Sequence, residues 1–192
     1  MRLFVAADPS AGVRRAAALL ALDLRRALEP HDVSRAIRWV PEEHLHLTVW
    51  FLGEVEESRA ARVLDALGSP LRTPAFPLEV SGFGAFPPSG SPRVLWLGVT
   101  AGMRELSAAH AEIGSRLEPL GFAPEGRAYS AHLTVARIKT PFEARERRLL
   151  HDALHATAAE AGACRVESLT VYKSRTAPKG AVYEPLLRVP LS

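Results

Sequence analysis

The chain contains a single cysteine, Cys164, in 192 residues. That excludes an internal disulfide and any cysteine cluster for zinc, and it points to the reducing cytoplasm as the working compartment. Long apolar runs are missing too. The opening stretch, Met1-Arg2-Leu3-Phe4-Val5-Ala6-Ala7, is too short for the hydrophobic part of a signal peptide, and no later segment approaches the roughly 18 apolar residues of a membrane span. A soluble protein with no membrane partner is the expectation. Lysine is scarce: of 24 basic residues, 21 are arginine. Arginine is the better planar fork for phosphate and the better stacking surface, so the bias leans towards a phosphate-bearing ligand. An arginine-rich and alanine-rich composition is equally what a GC-rich genome produces. The formal net charge is only +3, and the length suits one domain of two similar lobes working as a monomer.

One four-residue word occurs twice. His46-Leu47-Thr48-Val49 returns as His132-Leu133-Thr134-Val135. In a strand, alternate side chains share a face, so each copy presents a histidine and a threonine on one side and two apolar residues on the other. The apolar side suits packing against a helix, which leaves two imidazoles and two hydroxyls for a shared groove. The flanks of the two copies also correspond, as an internal duplication requires.

Read in order, Arg2–Ala7 is a buried strand closed by Asp8-Pro9-Ser10, and Ala11–Leu28 is an amphipathic helix stopped by Pro30. Residues 36–40 form a strand, 41–43 a turn, 44–52 the first motif strand ended by Gly53, and 56–67 a helix. Phe76–Phe86 and residues 93–100 pair as a hairpin that fits either lobe. Helical spacing then covers 103–120 up to Gly121, and the second motif strand covers 131–138. A last long helix covers 142–161, followed by strands over 165–173 and 182–189 around a loop holding Arg175 and Lys179. Strands and helices mixed with hairpins give an α+β fold with antiparallel sheets.

Two facing imidazoles suit in-line displacement at phosphorus, one accepting a proton from the attacking oxygen and the other giving one to the leaving oxygen. Thr48 and Thr134 are spaced to hold the non-bridging oxygens. The plainer account is that threonine suits strands and the histidines are satisfied polar residues. Spacing also permits a metal reading, in which His44, His46 and His132 supply three nitrogens, or His151 and His155 pair across one helical turn. No carboxylate accompanies either set at a recognisable spacing. His110 falls on the apolar side of its helix as a core or boundary residue.

The two words, in the settings Trp39-Val40-Pro41-Glu42-Glu43-His44-Leu45-His46-Leu47-Thr48-Val49-Trp50-Phe51-Leu52-Gly53 and Ala131-His132-Leu133-Thr134-Val135-Ala136-Arg137-Ile138-Lys139, resemble the paired H-x-T-x signatures of the two-histidine phosphoesterases. With Arg2-Leu3-Phe4-Val5-Ala6, the whole is similar to the bacterial and archaeal RNA 2′,3′-cyclic phosphodiesterases, also called 2′-5′ RNA ligases. It departs from the usual pattern at Ala131, where proline is common, and at His44, where asparagine is. The resemblance implies a bilobal α+β fold, each lobe an antiparallel sheet with helices outside, around a central cleft. It also implies cofactor-free opening of a terminal 2′,3′-cyclic phosphate of RNA, or of a cyclic nucleotide, to a 2′-phosphate, with His46 as general acid and His132 as general base. The alternative class is a non-catalytic binder of RNA ends or nucleotides using the same cleft, and only turnover separates the two. Phe51 and Arg137 stand five residues beyond the two histidines. Strict alternation puts both on the Leu/Val face, whereas a bulge would turn them to the cleft mouth as substrate-binding groups.

Overall fold

Among the described residues the chain runs β1 (Arg2–Ala7), α1 (Ala11–Leu28), β2 (Ile37–Trp39), β3 (Leu47–Glu54), α2 (Glu57–Leu67), β4 (Phe76–Phe86), β5 (Val94–Ala101), α3 (Met103–Leu117), β6 (His132–Ile138), α4 (Ala144–Ala156), β7 (Glu160–Val166), β8 (Ser168–Ala177) and β9 (Gly180–Pro190). The computed structural model describes residues 1–123, 126, 128–177 and 180–192, apart from the side chains of 32, 177 and 180. Lys179 lies outside the described residues.

Leu3 to Ala7 are all buried, as the unbroken apolar run of β1 requires of an interior strand. β1 pairs antiparallel with β3 on one side and β8 on the other, and β9 completes this half as β3-β1-β8-β9. The other half runs β6-β5-β4-β7, with the short β2 against β6. The two half-sheets join at a single antiparallel pair, Leu47 with Leu133. This is the α+β architecture of two antiparallel lobes, and it places the hairpin of β4 and β5 in the lobe of the second motif.

Helices cover the apolar faces, and they do so crosswise. α1, from the first half of the chain, lies against β7, β6 and α4, while α3, from the second half, lies against β3 and α2. α1 forms where Val13, Ala17, Leu24 and Leu28 recur at helical spacing and are buried, and Ser10 caps it by accepting from the Val13 amide at 3.3 Å. α4 opens on a capping box between Glu143 and Glu146.

Both motif strands carry a bulge at the same place. Along β3, Ala6 faces Thr48 but Val5 faces Trp50, so Val49 is an extra residue. Along β6, Trp96 faces Thr134 but Leu95 faces Ala136, so Val135 is extra. The alternation is thereby reset. Val49 and Trp50 are both buried, as are Val135 and Ala136, and the next residues, Phe51 and Arg137, come out on the opposite face.

Several expected boundaries move: β8 and β9 run to Ala177 and from Gly180, so Arg175 lies in a strand instead of a loop, and α3 ends at Leu117 instead of 120. The first motif strand begins at Leu47 rather than 44, because Pro41 leads into a 3-10 turn over Glu42–His44. The last helix stops at Ala156 instead of 161, where Thr157 takes an extended backbone conformation and returns its hydroxyl to the Ala153 carbonyl at 2.8 Å. Residues 160–166 are then drawn into β7 by pairing along the edge of β4, so the one strand expected over 165–173 is really the end of β7 and the start of β8.

The crosswise packing has a tight point. A Cβ on Gly114 of α3 would stand 2.8 Å from two ring atoms of Trp50 on β3. Gly114→Val should therefore destabilise the protein by about 1–3 kcal/mol despite the better helix propensity of valine. Equilibrium urea unfolding followed at the tryptophan fluorescence checks this, and an unchanged midpoint would mean that α3 does not hold the first motif strand.

Candidate active site

Each motif histidine is fixed by the same local contact. His46 Nδ1 lies 2.8 Å from the His44 carbonyl, and His132 Nδ1 lies 2.8 Å from the Ser130 carbonyl. A carbonyl only accepts, so Nδ1 carries the proton of each neutral ring and Nε2 is the nitrogen left for chemistry. Both contacts reach two residues back along the chain.

The pair of Leu47 with Leu133 sets the rest. Continued one residue either way, an antiparallel register puts His46 beside Thr134 and Thr48 beside His132. Since Leu47 and Leu133 point into the core, all four polar side chains point away from it. Here a cleft of about 520 Å³ opens, lined among others by His46, Thr48, Phe51, Thr134 and Arg137. His132 does not line this cleft but stands two residues from Thr134 on the same face of β6, against the rings of Phe86 and Trp96 with centroids 5.0 and 6.3 Å away. A larger hollow, about 690 Å³, lies between α3 and the segment of Arg72, Thr73 and Pro74, and contains none of these groups.

Burial lowers the pKa of both histidines below the ordinary imidazole value. The carbonyl at each Nδ1 opposes this, and Arg137 adds to it at both rings. His46 alone is also raised by Asp8. The Asp8 carboxylate accepts from the Thr170 hydroxyl at 2.8 Å and from the Tyr172 hydroxyl at 3.0 Å. Tyr172 is itself pushed up to about 12, by burial first and then by Asp8.

Phe51 is 47% exposed, so it belongs to the cleft mouth rather than to the core. Arg2 approaches its ring at 5.3 Å. Arg137 is likewise exposed and shares the cleft with it. Several neighbours carried no signal in the sequence. Phe4 and Tyr183 pack on His46 with ring centroids 4.9 and 5.2 Å away, and Asp8 reads as nothing more than a turn residue. Alternation along β1 was the available clue, since Phe4, Ala6 and Asp8 share one face.

The other histidines have separate surroundings. His110 is half-buried between Trp50 and Tyr129, whose hydroxyl donates to the Thr48 carbonyl at 3.2 Å. His151 and His155 stack on the exposed side of α4, and the His44 ring packs on Tyr183. Among the described residues, no three His, Cys, Asp or Glu side chains group as a metal-binding set, and no helix is long and apolar enough to cross a membrane.

A family model described as LigT-like phosphoesterase matches the chain twice, over residues 13–96 and over residues 97–183. Each match contains one motif. Among similar proteins is the RNA 2′,3′-cyclic phosphodiesterase of Aeropyrum pernix, 36% identical over 157 residues, which are 80% of this chain and 85% of that one. The RNA 2′,3′-cyclic phosphodiesterase of Archaeoglobus fulgidus is 33% identical over 187 residues, covering 97% of this chain and 98% of that one. The crystal structure of E. coli LigT complexed with 3′-AMP superposes with a TM-score of 0.74 at 26% identity, covering 100% of this chain and 98% of that one.

The carbonyl contacts make a prediction about protonation. In the neutral form both His46 and His132 should be Nδ1–H tautomers, visible by nitrogen-15 NMR as an unprotonated, pyridine-like Nε2 in each ring. An Nε2–H tautomer at either position would mean that its carbonyl contact does not exist in solution.

Proposed function

The chain belongs to the LigT-like phosphoesterase family, and from that premise we propose that it opens the terminal 2′,3′-cyclic phosphate of an RNA to a 2′-phosphomonoester by proton transfer between two histidines. The observation that carries this reading is the pairing of two identically oriented imidazoles across the Leu47–Leu133 contact.

His132 Nε2 takes a proton from water, whose oxygen attacks phosphorus. The bond from phosphorus to O3′ breaks on the opposite side, and the proton on His46 Nε2 passes to that oxygen. One base and one acid are consumed and the product keeps its phosphate on O2′. Burial suits His132, since a lowered pKa keeps the base neutral near pH 7. Thr48 and Thr134 hold the non-bridging oxygens from opposite sides. A 5′-hydroxyl in place of water gives a 2′-5′ linkage, the reverse of phosphodiester cleavage. Both motifs come from one chain, so the working unit is a single copy, a two-lobed domain spanning residues 1–192, in the cytoplasm with the RNA.

Phe51 and Arg137 serve the terminal nucleotide. The ring at the cleft mouth offers a face to a base, and the guanidinium offers charge and a planar fork to base or phosphate.

The test is a short RNA ending in a 2′,3′-cyclic phosphate, incubated with excess EDTA, with the product read by phosphorus NMR. The expected product is the 2′-phosphate, and the rate should fall on both sides of an optimum. His132 must be neutral, so rate is lost as pH drops through its pKa, which lies below the ordinary value; His46 must be charged, so rate is lost as pH climbs through its own. His46→Ala and His132→Ala should each lose about 10²- to 10⁴-fold. A 3′-phosphate product, near-normal rates in either variant, or activity lost in EDTA and restored by zinc would overturn the mechanism.

Phe51→Ala should weaken substrate binding by about 1–3 kcal/mol, alike for all four terminal bases, because stacking tolerates any base. Its melting temperature should hardly change, because the ring is half exposed. Arg137→Lys should lose activity, since a point charge does not replace a fork. Kinetics for the four cyclic-phosphate termini check both, and unchanged values for Phe51→Ala would remove the ring from the binding site.

A further inference from the structure

We propose that Asp8 is a positioning residue that assigns the two histidines their roles: its carboxylate stabilises the imidazolium of His46, and among the described residues no carboxylate holds the corresponding place beside His132. The inference rests on the two-histidine reading above and adds to it the residue that breaks the symmetry.

The near-two-fold arrangement makes the comparison direct. β1 pairs with β3 so that Ala7 faces Leu47, and the next residue along, Asp8, falls across from His46. β5 pairs with β6 so that Leu97 faces Leu133 and Gly98 faces His132. Asp8 and Gly98 therefore hold corresponding places. No side chain fits at the second, because a Cβ on Gly98 would stand 2.9 Å from the Ser81 carbonyl oxygen. Other features of the two histidines match. Each has a carbonyl acceptor two residues back, each packs on two aromatic rings, and each feels the repulsion of Arg137.

Asp8 is also held in place for this work. β8 pairs with β1 so that Thr170 faces Ala6 and Tyr172 faces Phe4, which brings both hydroxyls to the Asp8 face, where they donate to its carboxylate. The Tyr172 ring stacks on Phe4 at 5.3 Å, and Phe4 packs in turn on His46. Asp8 and His46 line one hollow of about 400 Å³ beside the cleft. Among the described residues, the other charged or titratable groups around His46 are Arg14 from α1, Glu43 and His44 from the turn before β3, Arg137 from β6, Tyr172 from β8, Tyr183 from β9 and Arg2 from β1. Arg14 donates to the Pro9 carbonyl at 3.0 Å. Of the two carboxylates, Glu43 is exposed and screened by water, whereas Asp8 is half-buried and fixed by its two donors.

An opposite charge close to an imidazole favours the charged ring. Burial discharges His46, and an acid that has lost its proton donates nothing, so the first histidine needs a compensating anion that the second must not have. The Asp8–Gly98 difference supplies this.

The experiment compares the unmutated protein with Asp8→Asn, using pH–rate profiles on RNA ending in a 2′,3′-cyclic phosphate together with NMR titration of the two histidine rings. Asparagine keeps an oxygen for Thr170 and Tyr172, so the fold should persist. The descending alkaline limb, which reports His46, should move down by about one pH unit, roughly a tenfold loss on that limb, while the ascending limb from His132 stays in place. A uniform loss with both limbs fixed, or movement of the ascending limb, overturns the proposal. In the unmutated protein His46 should titrate above His132, and the opposite order overturns it even if Asp8→Asn does not fold. Absence of turnover by the unmutated protein defeats the functional reading and the proposal together. Normal turnover with an unmoved alkaline limb defeats the proposal alone.

Discussion

A single pair of leucines, Leu47 against Leu133, joins the two half-sheets, and the geometry of the cleft follows from it. Both side chains are fully buried, which commits the residues on either side of each leucine to the opposite face. The strands are antiparallel, so the histidine of one motif meets the threonine of the other. A slip of one residue in either motif strand would send its histidine into the core and its leucine into the cleft. The burial of two leucines is thus what holds four polar groups in register. Such specification by apolar packing is stronger than any hydrogen bond among the polar groups themselves, each of which contributes about 1 kcal/mol net.

The crosswise helices extend this dependence through the molecule. α3 rests on β3 and α1 rests on β6 and β7, so each motif strand is backed by a helix from the other half of the chain. Loosening either helix should disturb the histidine of the opposite repeat before that of its own. The bulges at Val49 and Val135 are part of the same packing, because they let two successive residues enter the core under the helices. At β3 the second of these is Trp50, which fills the space left by Gly114. The same irregularity turns Phe51 outward. A core requirement on one side of the sheet and a cleft residue on the other are two consequences of one extra residue.

The elements with strong periodicity were readable in the sequence: β1, α1 and β4 carry the limits that alternation and helical spacing imply. The two-histidine face was readable for the same reason, since a period of two is a property of any strand. Alternation fails where the backbone departs from regularity. No pattern in Val49-Trp50-Phe51 distinguishes a bulge from a straight strand, because both leave apolar residues inside. The alanine-rich stretch after Ala156 favours helix by propensity, but the free edge of β4 offered backbone pairing, and tertiary pairing won. Asp8 was hidden differently. Beside Pro9 an aspartate suits a turn, and only the pairing of β1 with both β3 and β8 brings it to His46.

Duplication creates a chemical difficulty as well as a site. It supplies two equal imidazoles, whereas transfer of a proton through a phosphodiester needs one charged and one neutral. Nothing inside the repeated word breaks the tie, for its four residues are identical. The difference must come from neighbours that diverged, and three such pairs flank the two motifs: Asp8 against Gly98, Phe51 against Arg137, and Phe4 with Tyr183 against Phe86 with Trp96. Arg137 adds to the lowering of both rings that burial begins, and cannot choose between them. An anionic phosphate drawn into the cleft would offset that effect on both histidines together, raising each towards the charged form without reordering them. The order of the two pKa values is then a property of the empty protein, set by the Asp8 carboxylate on the side of His46, while the presence of substrate adjusts the pair in common.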